Sequence, residues 1–274
     1  MGSIAASQQR RFTAKSIMAV LAHAYIWIWL LIFAMPFITT LMYSLEKQGG
    51  SGYSLAAYDY VFGTFKDNLW LSFKTTVATI IINLLISIPA AYAIVRFRVP
   101  GKRFVLSTLN LSLYTPAAVM GLSLVIAYNY FFHRPGTVEG LVAAYVVGSY
   151  PLMLLPIIVA LRDLPTVFEE ASRTLGANRM QTFFRIELPL LGPGISAGIL
   201  LTFVIIFNEF LVTLFIAGTG NTTAALRVYN LTRTAGFEPS TAALATTMQF
   251  VSFMVVLIFF KFFGSRYLKG TYLI

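Results

Sequence analysis

Ten carboxylates, two histidines and no cysteine are this chain's whole inventory for acid–base, nucleophilic or metal chemistry. Without cysteine there is no disulfide, no thiol nucleophile and no thiolate metal site. His23 and His133 lie too far apart in the chain to give a metal-ligand spacing, so no metal site is expected. No Ser/His/Asp order and no paired-carboxylate site stands out, and a GxxxxGKS/T phosphate loop is missing, since Gly101-Lys102 lacks the preceding glycine. The chain is therefore expected neither to hydrolyse ATP itself nor to act as an enzyme. The charges that remain are concentrated. Asp163, Glu169, Glu170 and Glu187 share the stretch Arg162 to Pro189 with Arg162, Arg173, Arg179 and Arg185.

One further carboxylate stands apart. Glu209, within IIFNEFLVT, lies in the apolar body of a hydrophobic run. A charge at such a depth costs about 2.5–3.5 kcal/mol on insertion scales, and such groups usually face a partner or a water-filled path. Asn208 adjoins it, and Thr213 falls one helical turn on, on the same face. Two readings stay open. Glu209 lines a translocation path or gate and favours a cationic solute, or it is hydrogen-bonded to neighbouring helices and closes the fold. Tyr114 and Gln249 are further polar candidates for a path, while Asn83, Asn110 and Asn129 read as amides that tie helices together.

The elements that must position these groups are membrane spans. Hydrophobic residues make up 58% of the 274 and charged residues 11%, against about 25% charged in a soluble domain. The mean hydropathy is +0.77. A polar N-terminal tail, 1–16, precedes an apolar run over 17–45 that is too long for a signal-peptide core. Further runs cover 69–95, 104–132 (interrupted near Tyr114-Thr115-Pro116), 140–161, 190–216 and 240–263, and a tail follows over 264–274. Each has the roughly 20 residues that a core of about 30 Å requires. The expected fold is an all-α polytopic membrane protein with six transmembrane helices. Residues 217–239 read as a loop, and Gly192 to Gly198, GPGISAG, reads as close packing at a helix start.

The net charge of +10 does not point to nucleic acid, because the basic residues are dispersed over loops. They read as topology signals and contacts with anionic lipid. Fourteen Lys and Arg fall on the side holding both termini, the 96–103 loop and the 162–189 stretch, against five in the alternate loops. By the positive-inside rule both termini and that stretch are cytoplasmic.

The 162–189 stretch has a helical grammar. Pro165 suits a first turn. Glu169 and Glu170 follow near the positive end of the dipole. Leu164, Phe168, Ala171 and Leu175 form one apolar stripe, and Gly176 fits a left-handed stop. A second short helix over about 179–187, with Pro189 opening the next span, completes an elbow.

Here the chain resembles a known family. Glu170-Ala171-Ser172, Gly176, Ile186 and Leu188-Pro189 keep every spacing of the EAA loop of the membrane subunits of binding-protein-dependent ABC importers. Ser172, in place of the second alanine, is the one departure. PAAYAIVRFRVPGKR, 89–103, resembles the family's exit from its second span. YTPAAVMGLSL, 114–124, is similar to permeases for polyamines, phosphonates and ferric iron, whereas Asn208-Glu209-Phe210-Leu211 is also found in sugar-type permeases.

The resemblance implies a type I ABC importer permease in the bacterial inner membrane. Its expected partners are two ATP-binding cassette ATPase subunits, a second homologous permease subunit and an extracytoplasmic substrate-binding protein. ATP and Mg would be used by the ATPase, with no cofactor bound by this chain. It implies an ATPase-coupling set of Phe168, Glu169, Glu170, Ala171, Ser172, Leu175, Gly176, Ile186, Leu188 and Pro189. The substrate expected is a small cationic or zwitterionic solute of the polyamine or aminophosphonate type, with a sugar as the alternative. An ion-coupled secondary transporter would need inverted repeats or several membrane carboxylates, of which Glu209 alone is available.

Overall fold

The structure, a computed structural model, describes the backbone of residues 2–49, 52–131, 136–218 and 220–264, and side chains from residue 18 to residue 262 of these. His133, Arg134, Arg266 and Lys269 lie outside the described residues. Among those described, all regular elements are helices, and extended pairing is limited to one bridge between Glu46 and Tyr53.

Four helices are long and apolar enough to cross a membrane unaided: Met18–Ser44 within α1 (Gly2–Ser44), α3 (Lys66–Arg96), α6 (Val138–Asp163) and α13 (Pro239–Phe259), which a π-helical turn extends over Phe260–Gly264. Two more crossings are bent pairs. α4 (Lys102–Tyr114) meets α5 (Ala117–Phe131) at 111°, so the third run is sharply folded at Thr115-Pro116. Proline at 116 disfavours the helical region for Thr115, which is extended at φ −85°, ψ 127°.

The other bent crossing corrects the expected fifth span. In place of one helix over 190–216, α10 (Gly192–Phe207) is separated from α11 (Leu211–Ile216) by a non-helical step at Asn208-Glu209-Phe210. The chain entering α10 bends by 61°. The expected loop 217–239 also needs correction, because α12 (Ala224–Thr234) occupies half of it. Thr223 caps α12 by accepting from Leu226 N, and Ser72 of α3 accepts from Ala224 N at 2.8 Å. α2 (Ala56–Thr64) lies before α3, against α13.

The core is the packing of α3, α6 and α10. α3 turns a polar seam inward: Ser72, Thr76, Thr79, Asn83 and Ser87 recur at steps of four, three, four and four, and all are buried. Small hydroxyl residues allow close helix approach, and Thr76 and Thr79 satisfy their own O–H groups on carbonyls one turn back. Asn83 Nδ2 donates to Ser149 Oγ on α6 at 2.8 Å, tying α3 to α6. Asn83→Ala is expected to cost about 0.6 kcal/mol and at most about 1.7 kcal/mol in a detergent unfolding titration, the range of interhelical hydrogen bonds in membranes.

α10 approaches α6 at backbone distance through its glycines. A Cβ at Gly194 would lie 2.5 Å from Ala160 Cβ and 2.7 Å from the Pro156 carbonyl oxygen. At Gly198 it would lie 2.8 Å from Met153 Sδ. The GPGISAG segment is thus a packing seam. α1, by contrast, packs beside α13 with none of its most apolar window buried.

Candidate functional site: the elbow and the break in the fifth crossing

The elbow starts where α6 ends. Leu164 is buried, Pro165 and Thr166 turn the chain, and α7 (Val167–Thr174) runs eight residues. It stops in a Schellman motif: Gly176 has φ +85°, its N–H donates to Arg173 O, and Ala177 N–H donates to Ser172 O. α8 (Arg179–Thr182) opens with a capping box between Asn178 and Gln181 and continues through a π-helical turn, Phe183–Glu187, into α9 (Leu188–Leu190). Ile186 and Leu188 are half-buried there and Pro189 is exposed.

The face α7 turns inward is the polar one, and most of the apolar stripe is left outside. Of Leu164, Phe168, Ala171 and Leu175, only Leu164 is buried, and Leu175 is 88% exposed. Ser172 is buried instead. Its hydroxyl bonds to Glu169 O and to Thr182 Oγ1, both at 2.8 Å, clipping α7 to α8. An alanine at 172 could make neither bond, so the departure from the family motif gives this elbow a fastening. Phe168, Glu170, Ala171 and Leu175 are all exposed, and the spacing of Phe168, Ala171 and Leu175 puts these three on one face.

Glu169 carries the second fastening. Its Oε1 lies 2.6 Å from Arg96 Nε at the end of α3, and Arg173 approaches its Oε2 at 3.8 Å. Both members of the Arg96 pair are mostly buried, which strengthens the attraction relative to a surface pair and makes either charge costly to leave alone. Behind them Glu187 is fully buried. Burial, first, and the neighbouring Glu169 carboxyl, second, raise the Glu187 carboxyl to about 7, with Arg96 and Arg173 opposing. The Tyr92 ring meets Phe183 edge-on. A cavity of about 470 Å³ opens among Tyr92, Arg96, Glu169, Arg173, Arg179 and Phe183. Spacing in the sequence does not single out Arg96 or Glu187. The Arg96–Glu169 contact joins residues far apart in sequence, and its one legible signal was an arginine at the exit of a span.

At the break in the fifth crossing, Glu209 Oε1 accepts from Val212 N at 2.9 Å, taking up one of the free amides at the start of α11. Thr213 Oγ1 donates to Glu209 O and also bonds to the Tyr145 hydroxyl of α6. Asn208 points another way: its Nδ2 donates to Val204 O and to Ser252 Oγ on α13. A cavity of about 220 Å³ is lined by Ser112, Thr115, Tyr145, Gly148, Glu209 and apolar neighbours, with Glu209 its one ionisable carboxylate. The structure therefore groups Glu209 with Thr213 and Tyr145. Tyr114, 81% exposed at the end of α4, and Gln249, half-buried on α13, are not in that lining.

This architecture has solved counterparts. The chain superposes on a membrane chain of a bacterial ABC transporter for the acidic polysaccharide alginate with a TM-score of 0.65 at 18% identity, covering 95% of this chain and 98% of that one. It superposes on a chain of the inward-facing MetNI methionine ABC transporter with a TM-score of 0.62 at 17% identity, covering 73% and 94%. These likenesses speak for the fold. In sequence, the molybdenum transport system permease protein ModB of Escherichia coli K12 is 34% identical over 189 residues, 64% of this chain and 82% of ModB. The spermidine/putrescine permease protein PotC of Haemophilus influenzae is 28% identical over 259 residues, 90% and 95% of the two chains. The model of the family described as "Binding-protein-dependent transport system inner membrane component" matches residues 83–269. With most of its length inside that match, the chain belongs to this family, the inner-membrane permease subunits of ABC importers.

Proposed function

We propose that this chain conducts a small hydrophilic solute into the cytoplasm and receives the force for it through residues 162–189. The observation that carries the coupling half is the inverted elbow: a polar face clipped inward and an apolar face left bare. In water such a face is stable when a partner covers it, and its compact size suits a groove on an ATPase subunit. Both termini and the elbow are assigned to the cytoplasm on the distribution of Lys and Arg. The bare surface of α1 is assigned to lipid and to a second, homologous permease subunit. An extracytoplasmic binding protein delivers the substrate on the opposite side. Closure of two ATPases on ATP then moves the elbows and exchanges inward-open for outward-open arrangements. Copurification and cysteine cross-linking from position 171 to the ATPase test this. A position 171 that is reached from outside the cell, or that cross-links to nothing in the intact assembly, overturns it.

For the substrate we infer a cationic or zwitterionic solute of polyamine or aminophosphonate type. What supports this is Glu209 in the 220 Å³ lining and the near full-length similarity to PotC. The 34% identity to ModB favours an oxyanion as the second reading. Glu209→Gln separates charge from architecture, because a glutamine oxygen can still accept from Val212 N. If charge selects the solute, this variant assembles normally and its uptake of putrescine falls about tenfold, the loss of roughly 1.4 kcal/mol. Unchanged uptake, or thermal stabilisation of the cognate binding protein by molybdate or sulfate alone, overturns the cationic assignment.

A further inference from the structure

The buried carboxyl of Glu187 is unused by anything above. Neither of its oxygens reaches a backbone or hydroxyl donor among the described residues. The carboxyl that neighbours it is Glu169 of α7, itself an acceptor already paired with Arg96. Two carboxyl groups can hydrogen-bond only if one of them keeps a proton. Glu169 has two guanidiniums beside it, Arg96 and Arg173. Glu187, fully buried on the π-helical turn, has no cation of its own.

We propose that Glu187 is a positioning residue: it keeps its proton, donates it to Glu169, and so holds the coupling helix α7 onto the end of α3. The proton completes a chain from the turn before the fifth crossing (Glu187), through α7 (Glu169), to the second crossing (Arg96). Losing it would leave two buried carboxylates facing one well-placed arginine, and α7 would loosen.

The charged and titratable neighbours are few. α3 contributes Tyr92 and Arg96, α7 contributes Glu169 and Arg173, and Arg179 of α8 lines the same cavity. The adjoining ends of α6 and α10 supply Leu161, Leu164 and Leu191, while Arg162, Asp163 and Arg185 are exposed. The sign follows from the upward shift. The folded elbow binds a proton that the unfolded chain releases in the ordinary carboxylate range. The fastening is therefore full at acidic pH and is lost as pH rises through about 7.

This inference rests on the coupling reading only for its effect on transport, so the test separates the two. In the assembled transporter, hydrogen exchange of residues 167–174 is compared between wild type and Glu187→Gln at about pH 6 and about pH 8.5, with ATP-driven uptake measured alongside. Glutamine keeps an N–H donor and cannot ionise. The expected result is equal protection at the lower pH and, at the higher pH, about tenfold faster exchange in wild type than in E187Q. Glu187→Met, without a donor, should exchange fast at both. Should E187Q fail to assemble, wild type alone decides, through the infrared C=O stretch of a protonated carboxyl that disappears over the same pH range as protection. Equal pH response in wild type and E187Q, or no such band in wild type, overturns the proposal. A pH-dependent α7 with uptake unaffected upholds the fastening and overturns the coupling reading.

Discussion

Leu175→Asp is expected to lower ATP-driven uptake by at least about 30-fold while the subunit stays in the membrane at wild-type level. Leu175 is 88% exposed on the outward face that also carries Phe168 and Ala171, so its side chain supports no internal packing that the substitution could damage. Apolar anchors at the centre of a partner surface contribute about 2–4 kcal/mol, which corresponds to roughly 30–1,000-fold in affinity. Gly176→Val should act in the same direction by another route. With φ +85° and open space around its Cβ position, the cost is in the backbone: a β-branched residue there loses about 1–2 kcal/mol and frays the end of α7. Glu170→Arg, also exposed on α7, should uncouple as well. The measurements are uptake into vesicles, ATPase copurification and the amount of subunit in the membrane. Wild-type uptake and ATPase association in all three variants would refute the coupling assignment.

Gly194→Ala is expected to be strongly destabilising, at about 3 kcal/mol or more, and Gly194→Val worse. The added carbon meets Ala160 Cβ and the carbonyl oxygen of Pro156 at 2.5 and 2.7 Å. Neither can rotate away, so relief requires α6 and α10 to part, and overpacking of this kind costs about 1–3 kcal/mol even where side chains can adjust. Gly192→Ala is the control: nothing lies within 4 Å of its Cβ position and its φ is not in the left-handed region. A thermal unfolding midpoint in detergent that falls for Gly194→Ala and holds for Gly192→Ala checks the seam. Equal midpoints would show that the helices stand further apart than described.

The spans were legible because length and apolar content alone decide whether a helix can cross a bilayer. The six runs fall on α1, α3, the α4–α5 pair, α6, α10 with α11, and α13. The fold at Thr115-Pro116 was legible from one proline. The break at 208–210 was not, since IIFNEFLVTLFI holds no Pro or Gly, and a carboxylate that takes up an amide of α11 looks the same on paper as one lining a path. α12 was hidden because its flanks, rich in Gly, Asn, Thr and Pro, read as loop.

The elbow shows the limit most sharply. Periodicity located a stripe on α7 and could not say which way it faced. The answer came from Ser172 and Thr182, ten residues apart, and from Arg96 and Glu169, on different helices. Hydrogen bonds between small hydroxyls and ion pairs across the fold leave no periodic trace. The polar seam of α3 escaped notice for a related reason, because threonine and serine count as neither apolar nor charged in a hydropathy reading.

The glycine contacts between α6 and α10 have a mechanical corollary. A joint with no clearance does not slip, so the two struts on either side of the elbow must swing as a single limb. On the coupling proposed above, a push on the elbow would not be absorbed as sliding between them. It would be carried to the other end of the limb, where Tyr145 from one strut and Thr213 beyond the break are bonded to each other.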